Sequence, residues 1–208
     1  MSFSEALARA ESMKLEEHEE VLKKFLSSRE NRHHKPGREL EHPMFTFEVV
    51  ADWGVYKDLM RHRILTRYHQ LFTTELGYWT PDEIAPTGFG DVYHSAMEQA
   101  MDAYTQMKID FPYEAQYVVT HGSYNRFVMR MNLRAVMHMV ELRASPQGHP
   151  TYRKVAQEMA KRVAEQFPAL GRHCFPFVDF KDYELERLDA FRKIEKKATD
   201  VGVKGFEE

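Results

Sequence analysis

Apolar side chains recur at intervals of three and four residues through several stretches of the chain, and this spacing predicts amphipathic helices. The predicted helices cover residues 3–28, 52–60, 91–108, 132–144, 151–167 and about 182–197. Ser4 and Asp91 are the expected N-caps of the first and third of these helices. The stripe predicted to be buried within residues 132–144 is Leu133, Val136, Met137 and Val140.

Alternating apolar and polar side chains predict β-strands elsewhere. Strands are expected at residues 44–50, 117–120 and 123–131. In the last of them, one face carries Asn125, Phe127, Met129 and Met131, and the other carries two arginines, Arg126 and Arg130. This order of elements predicts an α/β (α+β) fold, a single domain in which helices pack on a mixed or antiparallel sheet.

Stretches without any hydrophobic period separate these elements. Residues 27–38 and 71–90 are rich in charge, glycine, proline or serine and are predicted to be loops. The chain is therefore expected to comprise an N-terminal helix (1–29), a central domain (30–167) and a C-terminal helical extension (168–208).

Composition narrows the classes of function. The 208 residues are 43% apolar, enough for a globular core, and the net charge of −3 argues against a general nucleic-acid-binding protein. Cys174 is the only cysteine, which excludes an internal disulfide and favours a reducing compartment. The sequence shows no long apolar run and no secretory signal pattern. The protein is expected to be soluble and cytoplasmic, with no membrane or nucleic-acid partner.

Positive charge is concentrated just after the helix predicted at residues 52–60. Arg61, His62, Arg63 and Arg67 lie close together at the end of a segment with a core-like apolar pattern. Such a run is often only a solvated surface patch. Guanidinium groups fixed at the end of a packed element also suit bidentate recognition of phosphate or carboxylate, which is the functional alternative.

Two further groups of polar residues have either a purely structural or a functional interpretation. His33 and His34 are adjacent in a basic loop, but neighbours in sequence rarely point to one ion, and no Cys or HxxxH companion is present, so no metal site is predicted. On the helix at 132–144, Arg134, His138 and Glu141 stack on one face. They form either a surface salt-bridge ladder or part of a binding site.

Taken together, these stretches resemble the flavin-dependent thymidylate synthases, the ThyX family. The resemblance covers about residues 30–167, and the matching segments occur in the family's order. They are Glu41-His-Pro-Met-Phe-Thr-Phe-Glu-Val, Arg61-His62-Arg63, Tyr124-Asn-Arg-Phe-Val-Met-Arg-Met-Asn-Leu-Arg134, Glu141-Leu-Arg-Ala-Ser145 and Tyr152-Arg153. The resemblance implies a ThyX-like homotetramer that holds FAD between subunits. It also implies conversion of dUMP to dTMP with methylenetetrahydrofolate as the methylene donor and NADPH as the reductant of the flavin.

The resemblance assigns roles residue by residue. Arg61, His62 and Arg63 match the family's flavin-contacting Arg-His-Arg. Asn132 and Arg134 match its flavin-binding Asn-x-Arg, and His138 occupies a position one turn later that also faces the flavin. Arg143 matches the arginine that faces and polarises the pyrimidine, so it is the catalytic candidate.

The chain departs from the family where dUMP is held. Leu71 and Thr73 stand in place of Ser and Arg, Gln116 replaces a phosphate-binding arginine, and Asp58 replaces a Gln. The candidate substrate-binding residues are therefore His69, Thr73 and Gln116. Each lost cationic contact to a phosphate removes about 1.5–3 kcal/mol of binding energy. Two hypotheses follow: a diverged enzyme for a pyrimidine nucleotide or related substrate, or a non-catalytic flavin-binding partner subunit.

Overall fold

The structure, a computed structural model, describes residues 1–182, 192–193 and 196–197, so most of the helix predicted at 182–197 lies outside it. The helices are α1 Phe3–Ser12, α2 Leu15–Leu26, α3 Trp53–Leu59, α4 Gly90–Asp110, α5 Leu133–Arg143, α6 Pro150–Gln166 and α7 Pro168–Cys174. The strands are β1 Met44–Asp52, β2 Thr66–His69 and β3 Tyr124–Asn132. A small antiparallel sheet with packed helices confirms the predicted α+β class.

The chain divides into two compact units. One, the sheet unit, is Met44–Met131 and contains β1, α3, β2, α4 and nearly all of β3. The other, the helical unit, is Met1–Pro43 together with Asn132–Glu208 and contains α1, α2, α5, α6 and α7. The division expected at residues 29 and 167 stays a prediction.

β3 is the central strand of the sheet unit, in the order β1-β3-β2. β2 pairs with it antiparallel, with Thr66 opposite Arg130. The alternation predicted for β3 is confirmed, because its inward side chains are buried: Asn125, Phe127, Met129 and Met131. The arginines of this strand therefore lie on the other face of the sheet.

α3 begins as soon as β1 ends. Asp52 is its N-cap, and the carboxylate Oδ1 accepts a hydrogen bond from the Val55 N–H at 2.9 Å. Val55, Tyr56 and Leu59 are buried and fix the helix in the core of the sheet unit. The C-terminal end of α3 therefore presents residues 61–63 from a rigid support.

α5 is the central helix of the helical unit. It packs against α6 and against the 3₁₀ turn Arg38–Glu41, and its predicted apolar stripe is fully buried. α7 in turn packs on α6. A Cβ atom at Gly171 would lie only 2.4 Å from the Cβ of Ala164, so this close approach of α7 to α6 requires a glycine.

A buried ion pair joins the segment after α2 to α5. Arg29 donates two hydrogen bonds to Glu141, at 3.0 Å (Nη1–Oε1) and 2.7 Å (Nη2–Oε2). The two side chains are only 4% and 2% exposed. Burial raises the pKa of the Glu141 carboxyl, and the hydrogen bonds from Arg29 oppose this rise. The Arg29 guanidinium also lies 5.2 Å from the centroid of the Phe177 ring.

The segment that begins at Arg29 is fixed to α5 at a second point. The Pro36 carbonyl accepts a hydrogen bond from Arg134 Nε at 3.0 Å. Between the two anchors, Arg29 Nε donates to the His34 carbonyl at 2.8 Å. We call residues 29–36 the basic strap. Its two anchors on α5 hold it across one face of that helix.

Cys174 lies at the end of α7 and is completely buried. Burial raises the pKa of its thiol to about 12. Almost no thiolate therefore exists at neutral pH, and this cysteine is a packing residue rather than a nucleophile.

Two predicted helix starts were wrong. Residues 3–28 form two helices, and α1 is capped by Ser2 rather than Ser4, because Ser2 forms a reciprocal capping box with Glu5. α4 has Phe89 at the N-cap position, and Asp91 lies in the first turn. There its carboxylate still complements the positive end of the helix dipole.

One strand prediction was also wrong, and one strand was not predicted. The strand predicted at residues 117–120 is absent, and Glu114–Val118 forms a 3₁₀ helix that buries Ala115. β2 escaped prediction because it has no apolar inward face: its burial runs exposed, half-buried, exposed, exposed. Its position is set by pairing with β3 instead.

The Glu141→Gln substitution tests the buried ion pair. It leaves the Arg29 charge buried without its counter-charge, so we expect the free energy of unfolding to fall by about 3–5 kcal/mol. Urea denaturation followed by circular dichroism measures this change. Glu165→Gln, which breaks an exposed pair with Arg162, is the matched control and should change it by less than about 1 kcal/mol. Equal effects of the two substitutions would contradict a central role for the buried pair.

Candidate functional site

The predicted cofactor-binding residues Arg61, His62 and Arg63 follow α3 in the sheet unit. Both arginines are exposed, and Arg61 Nη1 lies 3.3 Å from a carboxylate oxygen of Asp58. His62 is half-buried, and its carbonyl accepts a hydrogen bond from Arg67 Nη1 at 3.4 Å. The cluster presents guanidinium groups to solvent from a rigid helix end, which is suitable for binding an anion. Asp58, a departure from the family pattern, restrains the first of them.

The predicted substrate-binding residues lie around an aromatic cluster in the sheet unit. The His69 ring stacks on Phe72, with centroids 4.7 Å apart and an interplanar angle of 11°. The ring centroids of Trp53 and Phe72 are 3.9 Å apart in an edge-on arrangement, and Tyr56 meets His69 edge-on at 5.2 Å. We call Trp53, Tyr56, His69 and Phe72 the aromatic cluster. Two of its members, His69 and Phe72, lie in the segment where the family's phosphate-binding residues are expected.

Gln116 and Thr73 have structural roles beside this cluster. Gln116 Oε1 accepts a hydrogen bond from the Phe72 N–H at 2.9 Å, and Nε2 donates to the Tyr113 carbonyl at 3.0 Å. Thr73 Oγ1 accepts from the Glu75 N–H at 3.0 Å. Neither side chain carries a charge, so these positions lack the electrostatic attraction that an arginine would give a phosphate.

Asn132 is the N-cap of α5 in the helical unit. Its side-chain Oδ1 accepts a hydrogen bond from the Ala135 N–H at 2.8 Å and so satisfies one of the unpaired amides at the helix start. The side-chain NH₂ group takes no part in the cap. This residue therefore combines a structural acceptor with a donor that suits the polar edge of a ligand ring.

Arg134 is held in place by two neighbours in the helical unit. Besides the bond to the Pro36 carbonyl, its Nη1 donates to Glu41 Oε1 at 2.6 Å. Hydrogen bonds from Arg38 first, and from Arg134 second, hold the pKa of the Glu41 carboxyl below its ordinary value. Arg134 is thus a preorganised cation beside the start of α5.

His138 lies one turn after Arg134 and is exposed. Partial desolvation by its neighbours lowers the pKa of its imidazole, and the positive charges of Arg32, Arg143 and Lys35 lower it further. The lowered pKa favours the neutral form of the ring. A neutral imidazole can donate one hydrogen bond and accept another.

Arg143, the catalytic candidate, is the last residue of α5. Its guanidinium carbon lies 5.4 Å from the centroid of the Tyr152 ring on α6. This cation–π contact restrains the side chain while the N–H groups point outward in the guanidinium plane. Such a group can donate to a carbonyl oxygen on which negative charge develops.

The candidate residues therefore fall into two sets. Residues 61–63 and the aromatic cluster belong to the sheet unit. Asn132, Arg134, His138 and Arg143 belong to the helical unit, all on α5 or its cap.

Sequence reasoning missed the role of Glu141, which it placed in a surface ladder or a binding face. The structure pairs Glu141 with Arg29 and pairs Arg134 with Glu41 instead. A signal was present in the sequence, because Glu141 follows the buried Met137 by four residues and so lies beside the apolar stripe. A carboxylate at such a position requires a charged partner.

The His34 side chain stabilises the conformation of the basic strap. The Glu30 N–H donates to His34 Nδ1 at 3.3 Å. Across the described part of the chain, no three His, Cys, Asp or Glu side chains are grouped as metal ligands would be. None of the described helices has the length and apolar character needed to cross a membrane.

Comparison with known proteins gives a family match and several relatives. A family model described as thymidylate synthase complementing protein matches residues 1–169. A UPF0159 protein of Chlamydia muridarum is 44% identical over 168 residues, which is 81% of this chain and 32% of that protein. A UPF0159 protein of Thermoplasma acidophilum is 32% identical over 186 residues, which is 88% of this chain and 37% of that protein.

A more distant relative has a named activity. A flavin-dependent thymidylate synthase of Geobacter sulfurreducens is 28% identical over 148 residues, which is 66% of this chain and 63% of that protein. The chain spans about a third of the length of the UPF0159 relatives that it matches.

Two substitutions separate the possible roles of Asn132. Asn132→Ala removes the cap and should lower the free energy of unfolding by about 0.5–2 kcal/mol, whereas Asn132→Asp keeps an acceptor and should leave it nearly unchanged. Urea denaturation of both variants measures the difference. Equal losses would mean that capping is not what the side chain contributes to stability. If the prediction holds, Asn132→Asp is a folded variant that lacks the side-chain donor and carries a negative charge in its place.

Proposed function

Because this chain belongs to the family of thymidylate synthase complementing proteins, we propose that it is a FAD-binding member of that family. Its proposed reaction is the reductive methylation of a pyrimidine nucleotide, dUMP to dTMP, or a diverged related reaction. The main support is the arrangement of α5, where the cap Asn132, the anchored Arg134 and the restrained Arg143 share one helix. The activity named for the Geobacter relative supports the same reaction.

The side chains present suit FAD. Its pyrophosphate needs strong donors, and the exposed guanidinium groups of Arg61 and Arg63 are such donors. The polar edges of its ring system need directional hydrogen-bonding groups, which the amide of Asn132 and the neutral imidazole of His138 provide. We therefore assign Arg61, His62, Arg63, Asn132, Arg134 and His138 to the cofactor.

The protein's part in the proposed reaction is binding, orientation and polarisation. Bound FAD would supply the hydride, with NADPH and methylenetetrahydrofolate as proposed co-substrates. Arg143 would donate to a pyrimidine carbonyl and stabilise the charge that develops there, since its guanidinium is already positioned by Tyr152. His138 would contribute a hydrogen bond without adding charge, because its pKa is lowered.

We propose a cytoplasmic homo-oligomer, in the simplest case a tetramer. The two sets of candidate residues belong to different units of the chain. The family resemblance places FAD between subunits, so a second copy would complete each site.

A second candidate function is that of a relative that has lost ordinary dUMP binding. Such a protein would act on another substrate or serve as a flavin-binding partner subunit. The aromatic cluster favours this candidate, because its rings lie beside the uncharged Thr73 and Gln116 that stand where the family has phosphate-binding arginines. Rings recognise flat apolar faces rather than dianions.

The cofactor assignment is tested by titrating the apoprotein with FAD. We expect saturable binding, and we expect Arg63→Ala to weaken it by about tenfold or more, because a charged hydrogen bond contributes about 1.5–3 kcal/mol. Fluorescence quenching or calorimetry measures the affinity, and light scattering on the same samples reports the assembly. Lys57→Ala removes an exposed cation from α3 and should change little. Unchanged affinity in Arg63→Ala would remove the cluster from the cofactor site.

Substitutions at position 73, together with an activity assay, distinguish the two candidate functions. We expect weak dUMP binding to the FAD-loaded wild type, and we expect Thr73→Arg to tighten it by about tenfold or more by restoring one cation–phosphate contact. Thr73→Gln is the neutral control of similar size. Calorimetry that gives equal affinities for both variants would show that position 73 does not approach the phosphate. Formation of dTMP by the wild type, from dUMP, methylenetetrahydrofolate and NADPH, would decide for the first candidate.

A further inference from the structure

The basic strap carries three cations, Arg29, Arg32 and Lys35, and one carboxylate, Glu30, which forms no ion pair among the described residues. Arg29 is matched by the buried Glu141. Arg32 and Lys35 are exposed, and neither takes part in an ion pair among the residues that the structure describes. These two cations are therefore available to an external anion.

The basic strap crosses the face of α5 that carries His138. The strap is anchored at Glu141 and at Arg134, which are seven residues, or about 10 Å, apart along the helix. His138 lies between the two anchors on the same face. Arg32 and Lys35 lie between the two ends of the strap, and their charges act on His138 together with that of Arg143.

The strap is also ordered before any ligand arrives. The His33 N–H donates to Asn31 Oδ1 at 2.9 Å, and the His34 N–H donates to the Asn31 carbonyl at 3.1 Å. With the Arg29 bond to the His34 carbonyl, these contacts fix the backbone on which both cations are mounted. Ligand binding then requires little ordering of the chain, which favours affinity.

We propose that Arg32 and Lys35 of the basic strap form a phosphate-binding site beside His138 in the helical unit. The ligand is a phosphate group, either the pyrophosphate of FAD or the monophosphate of a nucleotide. Only the choice between these two ligands rests on the proposed function.

Ligand titrations with a charge-matched control test the proposal. Arg32→Gln/Lys35→Gln removes both strap cations, and Lys23→Gln/Lys24→Gln removes two exposed cations from the last turn of α2. FAD, riboflavin, dUMP and deoxyuridine are titrated into both full-length variants at one fixed salt concentration. We expect the strap variant to bind a phosphate-bearing ligand about tenfold or more weakly, with riboflavin and deoxyuridine unaffected.

The pattern of losses identifies the source of the phosphate. Weaker FAD binding with unchanged riboflavin binding assigns the site to the cofactor. Weaker dUMP binding with unchanged deoxyuridine binding assigns it to the nucleotide. Unchanged affinity for both FAD and dUMP, or an equal loss in the α2 variant, overturns the proposal.

An NMR titration with inorganic phosphate tests the site independently of the proposed function. Phosphate near His138 should raise the pKa of its imidazole, because an anion offsets the repulsion from Arg32, Lys35 and Arg143. The charged groups at either end of this face, Arg134 and Glu141, are unchanged in the variants. The His138→Gln variant identifies the resonance among the histidines.

We expect the phosphate-dependent shift of His138 in the wild type and in the α2 variant, and its loss in the strap variant. A His138 resonance that phosphate does not move in the wild type overturns the proposal. If the wild type binds neither FAD nor dUMP, the proposed function fails, and the phosphate titration still decides the role of the strap.

Discussion

The helical unit depends on one constraint, the buried ion pair between Arg29 and Glu141. Two charges removed from water are stable only when geometry and hydrogen bonds offset the cost of desolvation, and the bidentate contact does this. The ion pair matters for the placement of the basic strap as well as for the stability of the helical unit. Because Arg29 begins the basic strap and Glu141 lies on α5, the pair fixes the strap relative to the helix that carries Arg134, His138 and Arg143.

Much of the fold follows from periodicity, because burial follows spacing wherever an element has one apolar face. The stripe of α5 and the alternation of β3 were predictable for this reason, and the order of short motifs was enough to indicate the family. Structural features that depend on a contact with a residue far away in the sequence were not predictable. The carboxylate of Glu141 needed a partner more than a hundred residues away, and β2 needed β3. The roles of the site residues stay proposals, since they depend on ligands.

The sheet unit illustrates how a binding surface can change its chemistry through a few substitutions. Asp58 restrains the first arginine of the cationic cluster, and Gln116 uses both ends of its amide to hold the backbone near Phe72 and Tyr113. The rings of His69 and Phe72 then stack where cations are absent. As the proposed binding surface, this region would offer short-range contact with flat ring faces in place of long-range charge attraction, and would recognise shape more than charge.

The burial of Cys174 has a practical consequence for spectroscopy. With its thiol pKa raised to about 12 and no exposed surface, this side chain is protected from thiol-specific reagents while the protein is folded. It is also the only cysteine in the sequence. A cysteine introduced on the surface would thus be the single site to react with a maleimide fluorophore or a nitroxide. The natural sequence is already a background for site-directed labelling, and no cysteine has to be removed first.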